Sequence, residues 1–322
     1  MPLSITLPAI TRPRRRAEIL TRRRLLDLLY DLLERKLILV VAPAGYGKTS
    51  LLIDFAHQKE ISTCWYSVDQ HDHDLRRFLA HFIASIGQVY PAFGQLSSTV
   101  LQRLDKRGEE SELLITTIVN ELYECVHEHF VIVLDDFHVI GNSPDILNFI
   151  SRLINRVDEN CHLVIAARQQ PNLPGLELMI ARGQAGGIDF RELAFTPAEI
   201  HALAQRQQQE ISFNQASELA EQTEGWITGI LLTPSPLGPA GSAFMPGIHA
   251  AGGSLTAYWD LLVNQQPQAV RDFLLYSSVL DEFNASICTA VYPPALTAAN
   301  SGWDGLLETV LHSNLFVLPV AL

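Results

Sequence analysis

The stretch "LILVVAPAGYGKTSLLIDFA", beginning at Leu37, constrains the fold of this chain more than any other. Leu37 to Val41 form a short, β-branched apolar run with the character of a strand buried on both faces. The run breaks into a turn carrying Gly45 and Gly47, meets Lys48-Thr49, and resumes with helical apolar spacing. Strand, glycine turn, Lys-Thr and helix in that order fit GxxxxGK[ST], with Ala42 in place of the first glycine. Alanine can serve there if its φ stays negative. Such a turn aims successive backbone N–H groups at phosphate oxygens, and the helix adds the positive end of its dipole. The amides from Ala44 through Gly45, Tyr46, Gly47, Lys48 and Thr49 to Ser50 are the candidates for this cradle, with the two glycines keeping side chains out of it. Lys48, one of four lysines in the chain, would neutralise the β- and γ-phosphates of a nucleoside triphosphate. Thr49 would offer its hydroxyl to Mg²⁺.

A phosphate loop of this kind needs an acid on a neighbouring strand to hold the metal and its waters. "VIVLDDFH" (131–138) supplies it. Asp135, at the strand's C-terminal end, would support Mg²⁺, and Asp136 would orient or deprotonate an attacking water. A pair of helix-capping acids in a loop is the plainer alternative, weakened by the phosphate loop upstream. Arg168 closes the next apolar run, "CHLVIAAR" (161–168), and a parallel sheet places it on the same edge, where ligands collect. A guanidinium there can read the γ-phosphate by a bidentate contact, or merely cap the strand. His138 is either a relay of the γ-phosphate state or an ordinary loop histidine. "QHDHDL" (70–75) matches no standard metal-ligand spacing and is better explained as an acid-rich helix start. Arg152 and Arg156, four residues apart, fit a solvated helix face better than a finger reaching into an oligomer.

Strand-like and helix-like segments alternate through the first two thirds of the chain, which predicts an α/β fold with a parallel sheet. Strands are expected at 37–41, 62–67, 130–136 and 161–168, with one more in "GGIDFREL" (186–193). Helices are expected at 25–35, from Lys48, at 74–90, before Phe130 and at 144–157, with a loop over 91–110. After Leu193 the texture becomes helical, opening with a capped start at Thr196-Pro197 and continuing around Gly225. Residues 233–254 hold four prolines and five glycines, the composition of a linker. Helical spacing then returns, and "NLFVLPVAL" ends the chain as an apolar strand without a return partner, so a fragment of a longer protein is expected. The domain reading is an arginine-rich lead-in (1–24), a nucleotide-binding domain (25–195), a helical domain (196–232), a linker (233–254) and a final region (255–322).

Charge and cysteine usage exclude several functions. Seven arginines and one acid, Glu18, lie between Arg12 and Arg24, which leaves 16 basic and 34 acidic residues in the rest of the chain. An acidic body repels a phosphate backbone, so direct nucleic-acid binding is not expected, and the arginine run is a solvated lead-in. Four well-separated cysteines without a C-x-x-C pair fit neither a disulfide framework nor a metal knot. The apolar runs fall far short of the roughly 20 residues that span a bilayer. A cytoplasmic location is the default.

The segments "APAGYGKTSLL", "CWYSVDQHDHDLRRF", "VIVLDDFHVI", "LVIAARQQPNLP", "MIARGQ", "TEGWITGILL" and "QPQAVRDFLLYSSVLDEFNASIC" occur in this order. Together they resemble the N-terminal NTPase module of MalT-like, large LuxR-type transcriptional regulators, a branch of the STAND signalling ATPases. That family also begins its phosphate loop with Ala. The resemblance implies an ASCE-type, AAA-like P-loop domain, a small helical domain and a winged-helix domain, the last only partly contained in this chain. It further implies ATP or ADP with Mg²⁺ as ligands, slow ATP hydrolysis, and self-association in the ATP state. Inducer-sensing and DNA-binding domains would follow in the longer chain. By resemblance Lys48 and Thr49 are the Walker A pair, Asp135 and Asp136 the Walker B acids, and Arg168 the sensor-1 arginine. "LTRRRL" (20–25) is similar to the segment that contacts adenine in related proteins, with Arg22 the contact. Departures from the family pattern are His73, where Asn is usual, and the long linker. The functional expectation is a nucleotide-dependent switch; its rivals are a constitutive AAA-like mechanical ATPase and a scaffold that holds nucleotide without cleaving it.

Overall fold

The structure is a computed structural model describing residues 5–58, 60–103, 111–232, 267–278, 280, 283–291, 303, 305–307 and 310. It divides into two compact units, Met1–Ala42 with Gly47–Leu193, and Pro43–Tyr46 with Ala194–Leu322.

The first unit is built on a parallel five-stranded sheet of order β2-β3-β4-β1-β5. Its strands are β1 (Leu37–Val41), β2 (Ser62–Ser67), β3 (Phe130–Asp135), β4 (Cys161–Ala167) and β5 (Ala185–Ile188). Every residue of β3 and β4 is buried, as continuous apolar runs covered by helices on both faces must be. The register pairs Val41 with Ala167 and Ser67 with Asp135, so β1, β3 and β4 all finish at one edge of the sheet. The loops that follow them emerge side by side. That single topological fact gathers the chemistry-bearing residues from three distant stretches of sequence.

The flanking helices are α1 (Leu7–Ile10), α2 (Arg23–Leu32), α3 (Lys48–His57), α4 (Leu75–Val89), α5 (Gln95–Arg103), α6 (Ser111–Cys125), α7 (Pro144–Ile154), α8 (Leu176–Ala181) and α9 (Phe190–Leu193). In α2 the buried positions Leu25, Leu26, Leu29 and Leu32 follow the 3.6-residue stripe that turns one face to the core. The rings of Phe78 and Phe82 in α4 meet Phe149 of α7 edge-on, a geometry that aromatic quadrupoles favour. The acids of "QHDHDL" act as helix caps. Asp69 and Asp72 form a capping box around the 3-10 turn Gln70–His73, and Asp74 accepts from the amide of Arg77 to start α4.

Three expectations from the sequence need correction. The loop expected over 91–110 contains α5, whose start is capped from a different helix. The buried carboxylate of Glu121 in α6 accepts from the Leu96 and Ser97 amides at 2.8 and 3.0 Å and from the Ser97 hydroxyl. A cap supplied 24 residues downstream leaves no local signal. Replacing Glu121 with Ala strands those donors and is expected to lower stability by about 2 kcal/mol, with Gln costing less. Urea unfolding of the three proteins measures the difference.

The arginine-rich lead-in is tied down rather than solvated along its length. Arg12 donates to the Ala56 carbonyl at 2.6 Å, and Arg15 Nε to Asp54 Oδ1 at 2.5 Å. Asp54 is a buried acid on α3, and a desolvated carboxylate requires a cation there. Arg14, Arg16 and Arg23 remain exposed. The third correction concerns "GGIDFREL", where only the first residues continue the sheet, as β5, and Phe190–Leu193 turn into α9. Arg152 and Arg156 do lie on an exposed face, where both meet Glu112 of α6.

The second unit comprises residues 43–46 and the helices α10 (Pro197–Arg206), α11 (Phe213–Thr223), α12 (Ile227–Leu232), α13 (Gln268–Ser277) and α14 (Ala285–Val291). Thr196 and Glu199 close a capping box at the expected start of α10, and Ser212 with Gln215 does the same for α11. Between α11 and α12 the backbone of Gly225 has φ +70°, and a Cβ there would lie 2.7 Å from the Phe195 backbone N and O. Only glycine permits that approach. A smaller core gathers Val270, Phe273, Leu274, Cys288, Trp303, Leu306 and Val310. The expected linker (233–254) and terminal strand (314–322) lie outside the described residues. So does most of the expected final region (255–322). Among the described residues no helix is long and apolar enough to cross a membrane.

Candidate functional site

At the end of β1 the Ala42 amide donates to the Ala167 carbonyl at 3.2 Å, carrying the ladder one residue past the strand. After the loop, α3 starts from Gly47, a left-handed N-cap with φ 85°. Its first residue, Lys48, is 8% exposed and donates from Nζ to the Ala42 carbonyl at 2.6 Å. Burial, and next the neighbouring Arg168, pull the Lys48 ammonium down to about 8, against the opposing pull of Asp136 and Asp135. A desolvated lysine beside a guanidinium and two acids sits among strongly interacting charges.

Thr49 donates its hydroxyl to Asp135 Oδ1 at 3.1 Å, joining the first turn of α3 to the end of β3. Asp135 is 3% exposed. Burial, then repulsion from Asp136, push its carboxyl up to about 6, even though Thr49 and the Asp136 amide, at 3.0 Å, donate to it. Asp136 follows in the left-handed region with φ 56°, a conformation that costs a non-glycine residue energy and tends to collect at functional sites. Its side chain is 54% exposed. His138 Nδ1 lies 3.9 Å from Asp136 Oδ1. Burial, then Arg168, lower His138 to about 4, so it is a neutral imidazole at pH 7.

Lys48, Thr49, Asp135, Asp136, His138 and Arg168 are thus brought to one edge of the sheet, as the strand order requires. Arg22, by contrast, is buried at the start of α2 and donates to the Leu193 carbonyl at 2.8 Å. Ser50 is exposed on α3. The site's chemistry suits a metal–polyphosphate: Thr49 and Asp135 are hard oxygen donors within hydrogen-bond distance, of the kind Mg²⁺ prefers, and Lys48 and Arg168 are two cations close enough to lower the lysine.

Ala44, Gly45 and Tyr46 pack within the second unit. Trp226 Nε1 donates to the Ala44 carbonyl at 2.9 Å, and Thr228 Oγ1 to the Gly45 carbonyl at 3.1 Å. Gly45 has φ +82°, and the room its Cβ would need is filled by the Thr228 hydroxyl and the Trp226 indole nitrogen. Besides the expected clearing of the cradle, glycine here answers two local demands, the positive φ and the close approach of Trp226 and Thr228. The Tyr46 hydroxyl is pushed up by burial and by Glu224. Trp226 and Thr228 are the residues that sequence reasoning missed. Their only signal is "GWITG", where an aromatic and a hydroxyl lie between two glycines.

Residues 32–175 match the model of an AAA domain, and residues 260–321 that of the MalT winged helix domain. Among solved structures, the Walker-type ATPase of Pyrococcus abyssi is 16% identical with a TM-score of 0.56, over 94% of this chain and 92% of that one. At that identity the likeness is one of fold. A Signal Transduction ATPase with Numerous Domains (STAND) protein with a tetratricopeptide repeat sensor, from Pyrococcus horikoshii, is 16% identical with a TM-score of 0.47. That match covers 98% of this chain, which spans only 41% of the archaeal protein's length.

Proposed function

We propose that this chain, which joins a match to an AAA domain to a match to the MalT winged helix domain, is a MalT-like STAND NTPase and works as an ATP/ADP switch within a transcriptional regulator of the LuxR type. The observation that carries this reading is the gathering of Lys48, Thr49 and Asp135 at one sheet edge, with the Thr49 hydroxyl donating to Asp135 Oδ1 at 3.1 Å. Lys48, buried in the first turn of α3, is lowered by burial and then Arg168, with Asp136 and Asp135 opposing, which fits a phosphate-binding lysine. In this reading Lys48 neutralises the β- and γ-phosphates, and Arg168 reads the γ-phosphate. Thr49 and Asp135 would hold Mg²⁺, which would supply charge neutralisation at the phosphates. Asp136, half out in solvent, orients the attacking water, and hydrolysis serves as a slow timer. Arg22 is proposed as an adenine contact on the family resemblance alone.

A switch requires ATP and ADP to favour different arrangements of the chain unequally. Swinging a population from 1:99 to 99:1 takes about 5.5 kcal/mol of differential binding. The γ-phosphate is the only chemical difference available, so the residues that face it must generate this energy. Sedimentation velocity with ADP and with a non-hydrolysable ATP analogue tests the idea. The expected result is a smaller species with ADP and self-association with the analogue. Identical sedimentation in both, with nucleotide demonstrably bound, would leave a scaffold. Rapid turnover in a stable ring would instead indicate a mechanical ATPase.

A further inference from the structure

The segment "GWITG" in the second unit has no role in the function described so far, yet it is built around the phosphate loop. Gly225 lets the chain turn hard against Phe195, whose amide donates to the Gly225 carbonyl at 2.8 Å. Trp226 then folds its ring back over Gly229, where a Cβ would come within 2.5 Å of ring carbon Cε3. Seated there, the indole reaches the Ala44 carbonyl at 2.9 Å. Two residues along, Thr228 holds the Gly45 carbonyl twice, by its amide at 3.3 Å and its hydroxyl at 3.1 Å. Each element of the segment therefore has a defined purpose: one glycine for the turn, one to seat the ring, and two donors for consecutive carbonyls.

Those bonds matter because a trans peptide is planar and its C=O and N–H point in opposite directions. Holding the Ala44 carbonyl toward α12 turns the Gly45 N–H the other way. Holding the Gly45 carbonyl does the same to the Tyr46 N–H. Two successive amides are thereby aimed to one side of the loop, which is the arrangement an anion-binding nest requires. Left to itself a glycine-bearing loop samples many peptide orientations and must lose that freedom on binding phosphate. We propose that Trp226 and Thr228 are positioning residues for the phosphate cradle, fixing the Gly45 and Tyr46 amides before nucleotide arrives. The proposal rests on the nucleotide-binding reading above and adds to it a control point: a shift of α12 that releases the two carbonyls would loosen the grip on phosphate.

The test compares the wild-type chain with Trp226→Phe, Thr228→Val and Thr228→Ser by titration calorimetry with ATP–Mg²⁺. The thermal midpoint of each nucleotide-free protein is recorded alongside. Expected are affinities lower by about tenfold for Thr228→Val and for Trp226→Phe, near-wild-type binding for Thr228→Ser, and thermal midpoints that do not track the affinities. Rescue by Ser separates amide positioning from simple packing, because Val keeps the volume and Ser keeps the donor. Wild-type affinity in Thr228→Val and Trp226→Phe overturns the proposal and leaves the nucleotide site standing. So does an affinity loss that Ser fails to restore. A wild-type chain that does not bind ATP–Mg²⁺ overturns both.

Discussion

A Lys48→Met variant is expected to bind ATP–Mg²⁺ about a hundredfold more weakly than the wild type, because several charge-assisted bonds to phosphate oxygens vanish together. The same change should leave the nucleotide-free protein no less stable near neutral pH. In the folded chain burial and Arg168 lower Lys48 from 10.5 to about 8, so folding disfavours its charged form. The unfolded chain binds that proton more tightly, and the cost is full below pH 8 and is relieved as pH rises towards 10.5. Methionine keeps the apolar stem and discards the charge. Equilibrium binding with a fluorescent nucleotide and urea unfolding at pH 7 measure the two halves. A variant that binds within threefold of the wild type would show that Lys48 does not touch phosphate.

Asp135 gives the mirror case. An Asp135→Asn variant should be more stable than the wild type at pH 7 by about 2 kcal/mol and, on the proposed reading, lose most of the Mg²⁺-dependent hydrolysis. Burial and Asp136 raise the carboxyl from 3.8 to about 6, so the folded chain holds the proton more tightly than the unfolded one. The group's favourable contribution is therefore present below about pH 4 and is lost as pH rises through 6. Above that window the wild type carries a desolvated charge that Asn lacks, and below it the two proteins should converge. Urea midpoints across pH 4 to 7.5 give the test. Parallel curves for the two proteins would mean that Asp135 does not titrate as its surroundings dictate. Both substitutions express one principle: charges buried together at one sheet edge are held at the expense of the free fold.

The parts of this architecture legible in the sequence are those with a period or a signature. The apolar runs of β1, β3 and β4 announced a buried parallel sheet, and the glycine turn with Lys48-Thr49 announced which edge would matter. The Thr196 cap was visible because the acceptor stands directly before Pro197, the residue suited to a first helical position. What stayed hidden depended on groups remote in sequence. The cap of α5 comes from Glu121, on another helix. Arg12 and Arg15 looked like solvated charges because their partners, Ala56 and Asp54, are 44 and 39 residues away. A further constraint on Gly45 was hidden in the same way, since the atoms that crowd its Cβ position belong to Trp226 and Thr228.

The bond from Arg15 to Asp54 bears on where this fold can be cut. The match to the AAA domain starts at residue 32, downstream of the arginine that neutralises an acid sealed inside that same domain's first helix after the loop. A piece excised at the matched limits would lose both the Arg15 partner of Asp54 and the lead-in that covers the end of α3, uncovering a face that is sealed in the whole chain. The smallest autonomous version of the sheet therefore has to reach back past Arg15, and family limits drawn by similarity stop short of the physical domain.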